Sequence, residues 1–342
     1  MRLLITGGAG FIGSNFVRYC LREHAATSIL NVDKLTYAGN LENLRDVESR
    51  PGYQFVQGDV TDHALLNELF ATKIDAVIHF AAETHVDRSI ANAAEFVSTN
   101  VAGTQSLLDT AWRHKVERFI HISTDEVYGS LEAGEISNEN CGLKPNSPYA
   151  ASKAAADLVV RSYWKTYGFP AIVTRCTNNY GPFQFPEKLI PLMITNALEG
   201  KRLPVYGDGM NERDWIFVED HCRAIYLVLM RGVPGEIYNI GSHRPVSNLE
   251  MVRRLLLMLG SGEDLIEFVS DRPGHDRRYA LNSKKIRDEL GWEPLVSLEE
   301  GLVRTAEWYR SNSSWVQRAK DGEYRKYYQT HYHNRDVFLA SL

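Results

Sequence analysis

The sequence is poor in the features that would set it apart from ordinary globular proteins. It has four cysteines in 342 residues, Cys20, Cys141, Cys176 and Cys222. They are far apart and form no metal-type pair, which argues against a zinc site or a disulfide framework and for free thiols in a reducing cytoplasm. No apolar stretch approaches the ~20 residues of a membrane span. Neither charge sign dominates: 38 basic and 43 acidic side chains leave a net charge of −5. Bulk charge therefore gives no reason to expect nucleic acid or an anionic membrane as a partner. Met1 to Thr6 runs directly into a glycine cluster, so no signal peptide is expected. What remains is 44% hydrophobic and 24% charged residues, ordinary for one large or two modest domains.

Two stretches carry chemistry when read together. Ser123-Thr124-Asp125-Glu126-Val127-Tyr128 follows the strand-like run Arg118 to Ile122. Two adjacent carboxyls at a strand end are costly unless something uses them. Ser147-Pro148-Tyr149-Ala150-Ala151-Ser152-Lys153 opens a helix, with Ser147 a good N-cap and Pro148 suited to the first helical position. Tyr149 and Lys153 are four apart and share a helix face. A cation beside a phenol lowers its pKa, which makes Tyr149 a candidate base for a substrate hydroxyl. The competing reading is an exposed acidic turn followed by an ordinary helix.

The first half alternates strands and helices. A buried strand, Arg2 to Ile5, leads into Gly7-Gly8-Ala9-Gly10-Phe11-Ile12-Gly13 and an amphipathic helix to about Glu23. Gly8-x-Gly10-x-x-Gly13 between strand and helix is the dinucleotide fingerprint. Its glycines allow a tight turn and close approach to a pyrophosphate, and the helix N-terminus supplies N–H donors. Asp33 ends the next strand, about 20 residues past Gly13. There it suits the adenine ribose hydroxyls, repels a 2′-phosphate and favours NAD over NADP; the alternative is an exposed acid after a strand. Asp59, after the strand Tyr53 to Val56, either meets the adenine or caps the next helix. Asp75 to His79 is followed by Phe80-Ala81-Ala82, small enough to let backbone lie flat against a cofactor. A helix is expected from Ala91 to Arg113, with Asn100 reaching either a cofactor group or a buried polar partner. The pattern βαβαβαβαβ predicts an α/β fold, a Rossmann-type doubly wound parallel sheet with ligands beyond the strand C-termini.

A sixth strand is expected over Phe169 to Thr174, with Asn178-Asn179-Tyr180 just beyond. After Pro182 the alternation stops. The expected organisation is a Rossmann domain over residues 1–180 and about 214–240, with a smaller α/β C-terminal substrate-binding lobe over 181–213 and 241–342. Trp215 to Val218 and Glu236 to Ile240 are expected to return to the first domain. Lys188 and Arg213 are candidates for a diphosphate, although most single basic side chains are merely solvated. Asp271 to Tyr279 reads as a loop closing over an anionic ligand. The tail, with Tyr324, Tyr327, Tyr328, His331, Tyr332 and His333, reads as a packed or flexible terminus rather than a metal site.

Gly7-x-x-Gly10-x-x-Gly13 with Tyr149-x-x-x-Lys153 resembles the extended short-chain dehydrogenase/reductase family. Thr124 to Gly129, His85 to Ser89, Asn178 to Pro182, Pro186 to Pro191 and Asp271 to Asp276 are similar to motifs of its dTDP-glucose 4,6-dehydratases, over roughly residues 1 to 310. The resemblance implies NAD held by Gly7, Gly10, Phe11, Ile12, Gly13, Asp33, Lys34, Thr36, Asp59, Val60, Phe80, Ala81, Ala82, Thr99, Tyr149, Lys153 and Asn179. It implies a nucleotide sugar, dTDP-glucose, met by Thr84, Thr124, Asn178, Lys188, Leu189, Pro204, Tyr206, Arg213, Asn248, His275, Arg277 and Tyr279. The implied catalytic set is Thr124, Asp125, Glu126, Tyr149 and Lys153, with no metal. Oxidation at C4 makes the C5 hydrogen acidic: Tyr149 takes the C4 hydroxyl proton as hydride passes to NAD⁺. Glu126 removes the C5 proton, Asp125 protonates the departing 6-hydroxyl, and hydride returns to C6. Asp125 must then hold a proton near neutral pH, which burial and the like charge of Glu126 both favour. A UDP- or other NDP-hexose dehydratase shares this chemistry. A 4-epimerase needs no paired acids at 125–126, and a silent NAD-binding regulator needs neither Tyr149 nor Lys153. The resemblance also implies a homodimer joined through the helices at 91–113 and 147–168.

Overall fold

The computed structural model of the chain describes residues 1–321, 323–333 and 335–340; the end of the expected second lobe, 341–342, lies outside them. In chain order the strands are β1 (Arg2–Thr6), β2 (Ser28–Asp33), β3 (Tyr53–Gln57), β4 (Ala76–His79), β5 (Arg118–Thr124), β6 (Ala171–Cys176), β7 (Asn178–Tyr180), β8 (Leu203–Tyr206), β9 (Glu212–Arg213), β10 (Trp215–Phe217), β11 (Ile237–Ile240), β12 (Val246–Ser247) and β13 (Ile266–Val269). Seven of them form one parallel sheet in the order β11-β6-β5-β4-β1-β2-β3. Alternate residues feed opposite cores, as a two-residue period requires. Leu3, Ile5, Ile78 and Ile120 pack with Phe16, Val17, Cys222 and Ile225 of the helices Phe11–Glu23 and Val218–Arg231. Leu4, Val77 and Phe119 pack the other way, against Leu66, Leu107 and Val160. The chain leaves β1 toward β3 and returns to β4 on its other side. This is the reversal of strand order that opens a crevice at the strand C-termini.

Beyond Tyr180 a second core forms. Ile190, Met193 and Ile194 of the helix Leu189–Leu198 meet Met251 and Leu255 of Asn248–Leu259, behind Tyr180, Trp215 and Phe217. Three two-stranded sheets, β10-β7, β12-β9 and β13-β8, border it. β11 joins the main sheet beside β6, whereas β10 pairs with β7 outside it.

The expected helix from Ala91 to Arg113 is broken. Val86–Ala91 stops at Asn92 (φ −146°, ψ 80°), Ala93–Phe96 follows, Val97–Gly103 is a π-helical turn, and Thr104–Arg113 resumes α geometry. π turns recur where a side chain must be aimed. Here the buried Asn100 accepts from Glu83 N (2.8 Å) and donates to Glu83 O (3.0 Å) and Ser152 Oγ (2.8 Å). Of its two readings, the buried polar partner describes its side chain: it pins the segment after β4 to the helix that carries Tyr149. Asn100→Ala leaves both Glu83 backbone groups buried without partners, so chemical denaturation should show a loss of about 2–4 kcal/mol. A loss below about 0.5 kcal/mol would remove Asn100 as the pin.

Candidate active site

The C-terminal ends of β1 to β6 line one cleft. Its wall holds Gly7, Gly10, Phe11, Ile12 and Gly13 from the first turn, and Asp33, Lys34 and Thr36 after β2. Asp59 and Val60 follow β3, Phe80, Ala81, Ala82 and Thr84 follow β4, and Thr99 comes from the π turn. Thr124, Asp125, Glu126, Tyr149, Lys153, Asn178, Asn179 and Lys188 complete it. The structure thus brings every residue expected around the cofactor to one wall. Gly7 has φ +73°, and a Cβ there would lie 2.6 Å from Ala81 N. A Cβ on Gly13 would fall on the Gly7 carbonyl, so the turn closes only with glycine. The helix Phe11–Glu23 has no side-chain cap, which leaves its first N–H groups for a phosphate. These features fit a dinucleotide. Asp33 does more than face the cleft: its two carboxylate oxygens accept from Ala9 N and Leu35 N, each at 2.9 Å, tying the glycine turn to β2. Asp59 pairs with Lys34 at 2.8 Å, and the following helix is capped by Asp62 instead.

Thr124 ends β5. Its hydroxyl accepts from Glu126 N and donates to Asp125 Oδ1, both at 3.3 Å, which caps the short turn Asp125–Tyr128. Ser147 Oγ accepts from Ala150 N at 3.1 Å and Pro148 occupies the first turn, starting the helix Pro148–Tyr167 as its sequence dictates. That start sets the Tyr149 phenol in hydrogen-bonding contact with Thr124. Burial, then the charge of Glu126, raises the Asp125 carboxyl to about 8. Burial also raises Glu126, opposed by Arg272, Arg213 and Lys188. Asp125 holds a proton near neutral pH, while the rise of Glu126 is countered by three cations, which sets the two neighbours apart as acid and base roles require. Asp125 Oδ2 has no partner among the described residues.

Tyr149 departs from expectation. Burial, then the Glu126 charge, pushes its phenol well above the usual range. Lys153, one turn along, donates from Nζ to Ile122 O at 2.6 Å, and burial lowers it to about 8. The ammonium is committed to a backbone carbonyl and is itself weakened by burial, so the protein alone does not lower the phenol.

Of the residues expected around the sugar, Thr84, Thr124, Asn178 and Lys188 lie in the cleft wall. Lys188 Nζ donates to Thr84 O at 3.2 Å. Arg213 donates from Nη2 to Asp276 O at 2.8 Å and lies 4.3 Å over the Tyr279 ring. Both Arg213 and Tyr279 are close enough to Glu126 to feel its charge. Tyr206 and His275 meet edge-on at 6.2 Å. Leu189 and Asn248 each begin a helix, the latter with its amide oxygen buried and unpartnered among the described residues. Pro204 lies within β8. Arg277 goes elsewhere: it is exposed, and its guanidinium grips the Asp208 carboxylate at 2.8 and 3.0 Å. The same loop turns Arg272 inward, where Nη1 meets Asp87 Oδ1 at 3.2 Å.

The family described as GDP-mannose 4,6-dehydratase matches residues 4–305. A dTDP-glucose 4,6-dehydratase of Streptomyces niveus is 53% identical over 319 residues, covering 92% of this chain and 94% of its own. That of Neisseria meningitidis serogroup B is 53% identical over 346 residues, covering 95% and 97%. The chain belongs to the dTDP-glucose 4,6-dehydratase family. A solved dTDP-glucose 4,6-dehydratase, DesIV of Streptomyces venezuelae with NAD and TDP bound, is 52% identical and matches with a TM-score of 0.91, over 94% of this chain and all of that one. The fold is shared more widely. A UDP-glucose 4-epimerase of Thermotoga maritima, solved with UDP-glucose, matches 92% of this chain at 30% identity with a TM-score of 0.86.

Glu187 and Tyr37 also line the wall, and the sequence does not show what holds them. Glu187 is buried against Arg88 (3.5 Å) and His85 (3.8 Å), and Arg88 lies 3.7 Å over the Tyr37 ring. A buried Glu187 demands a partner, but nothing local says that the partner is Arg88. Among the described residues no cluster of three His, Cys, Asp or Glu side chains could hold a metal; the His333 side chain lies outside them.

The Asp125 carboxyl sits at about 8 in the fold against an ordinary 3.8. Between those values the folded chain keeps a proton that the unfolded chain has lost, so this group lowers stability as pH rises through the window. Asp125→Asn should therefore melt above the parent protein at pH 8, with the gain vanishing by about pH 4. A pH-independent difference would mean that Asp125 is charged in the fold.

Proposed function

We propose that the protein converts dTDP-glucose to dTDP-4-keto-6-deoxyglucose and water, using NAD without net consumption. The observation that carries this reading is the pair of adjacent carboxyls, of buried Asp125 and half-buried Glu126, in the same cleft wall as Tyr149. NAD, held at the glycine turn of residues 7–13 and by the cleft wall, would supply the hydride acceptor for C4 and the hydride donor for C6. Tyr149 accepts the C4 hydroxyl proton as a phenolate, a form that the positive charge of bound NAD⁺ would favour, while Thr124 holds the C4 oxygen. Glu126 takes the C5 proton, which the C4 ketone has made acidic. Three cations oppose the effect of burial on the Glu126 carboxyl, which favours the carboxylate a base needs. Asp125 gives its proton to the departing 6-hydroxyl, which the pair's like charges have kept on it. The relatives named above support dTDP-glucose over a UDP- or other NDP-hexose. A 4-epimerase has no use for the acid pair.

The protein acts as a cytoplasmic homodimer. All four cysteines are free thiols, as a reducing compartment keeps them. Val97, Trp112, Leu158 and Tyr167 are exposed on the π turn and on the helices Thr104–Arg113 and Pro148–Tyr167, with the Trp112 and Tyr167 rings 4.5 Å apart. Exposed apolar side chains on these helices suit burial against its own copy across a two-fold axis.

Purified protein should release keto sugar from dTDP-glucose and far less from UDP-glucose; equal rates would reject the base preference. Asp125→Asn combined with Glu126→Gln should build up NADH absorbance while forming little 4-keto-6-deoxy product, and full product formation would reject the assigned roles. Light scattering at micromolar concentration should give twice the chain mass; a monomer alone would reject the dimer.

A further inference from the structure

The chain beyond residue 305 lies outside the family match, yet it reaches the site. The helix Glu323–Tyr328 sets the Tyr327 hydroxyl 3.2 Å from Asp87 Oδ2 and 3.1 Å from His85 Nε2. Burial keeps His85 neutral, so its Nε2–H tautomer donates to the phenol oxygen while the phenol donates to the carboxylate. Asp87 Oδ2 accepts a second bond from the Tyr206 hydroxyl at 3.1 Å, and Oδ1 accepts from Arg272 Nη1 at 3.2 Å. The tail takes a second hold on the same loop: Arg335 donates to Ser270 O and stacks 4.0 Å over Tyr206. Asp336 accepts from Ser270 Oγ at 2.8 Å.

Arg272 meets Asp87 through one N–H only, and its Nε has no partner among the described residues. Its other hold is the Tyr206 ring, 6.0 Å away and itself bonded to Asp87, so the carboxylate sets the direction of the side chain. We propose that Tyr327 is a positioning residue: its hydroxyl fixes the Asp87 carboxylate, which aims the Arg272 guanidinium at the nucleotide-sugar cleft beside Glu126. The proposal rests on the dehydratase reading for its substrate. Tyr327→Phe isolates the hydroxyl, because the ring keeps its stack on His331 at 3.9 Å and its edge contact with His85 at 4.8 Å.

The expected result for Tyr327→Phe is a KM for dTDP-glucose raised about three- to tenfold, with kcat within about twofold and NAD content unchanged. Calorimetric binding of dTDP should weaken by the same factor, a readout that needs no turnover and so separates this proposal from the reaction assignment. In an Arg272→Lys background the same substitution should add nothing, since its effect runs through Arg272. An unchanged KM and dTDP affinity would overturn the proposal. So would equal losses in both backgrounds, or a fall in Tm of more than about 5 °C, which marks a purely structural hydroxyl.

Discussion

The Asp125 carboxyl is buried at the end of β5 and Glu126 is half-buried beside it, where two neighbouring charges are poorly stabilised by water. The rest of the site answers that constraint. Arg213, Lys188 and Arg272 bring positive charge from the second core, and each is tethered: to Asp276 O, to Thr84 O and to Asp87. None of the three grips a catalytic carboxylate directly, so the acids are biased without being neutralised. A direct ion pair would hold Glu126 as a carboxylate too weak to take a carbon-bound proton.

This arrangement makes the two packed regions interdependent. The acids, Tyr149 and the glycine turn belong to the seven-stranded sheet, and the cations do not. Asp214 sits at the seam. Its backbone oxygen accepts from Asn178 N at 3.2 Å, and its carboxylate accepts from Trp215 N, Ser242 N, His243 N and Arg244 N at 2.8–3.1 Å. A fully buried acid with that many donors is locked, and the residue before it is Arg213. The β7–β10 pairing therefore does more than close the second core; it fixes one cation relative to the strand end that carries Asn178 and Asn179.

What could be read in the sequence is what is local in the chain. The glycine turn, Asp33 at its strand end, the Ser147 cap and the adjacent acids each rest on spacings of a few residues, and the fold follows from the strand–helix alternation. The partners of Glu187 and Arg272 are not local: Arg88 is 99 residues away and Asp87 is 185. No periodicity connects such pairs. The π turn was hidden for a related reason. Apolar spacing predicts a straight helix through Val97–Gly103, and the register shifts because Asn100 bonds Glu83 and Ser152 from other elements. Arg277 and Arg272 are indistinguishable as letters in one loop; only packing sends one to Asp208 at the surface and the other inward.

The proposed roles also explain why an acid and a base are placed side by side when a single carboxylate could remove the C5 proton. In the elimination Glu126 gains a proton as Asp125 loses one, so the pair carries a single negative charge before and after. The electrostatic cost of burial is the same at both ends of the step, and the pocket need not rearrange. Over a whole turnover the C5 proton goes back from Glu126 to the sugar, while Tyr149 keeps the proton of the C4 hydroxyl and Asp125 has spent its own on water. The two groups left out of balance are therefore the phenol and the acid that Thr124 already joins: its hydroxyl is bonded to Asp125 Oδ1 and in contact with Tyr149. Burial holds the phenol well above the acid, so returning the proton from Tyr149 to Asp125 needs positive charge beside the phenol, which NAD⁺ would supply when bound.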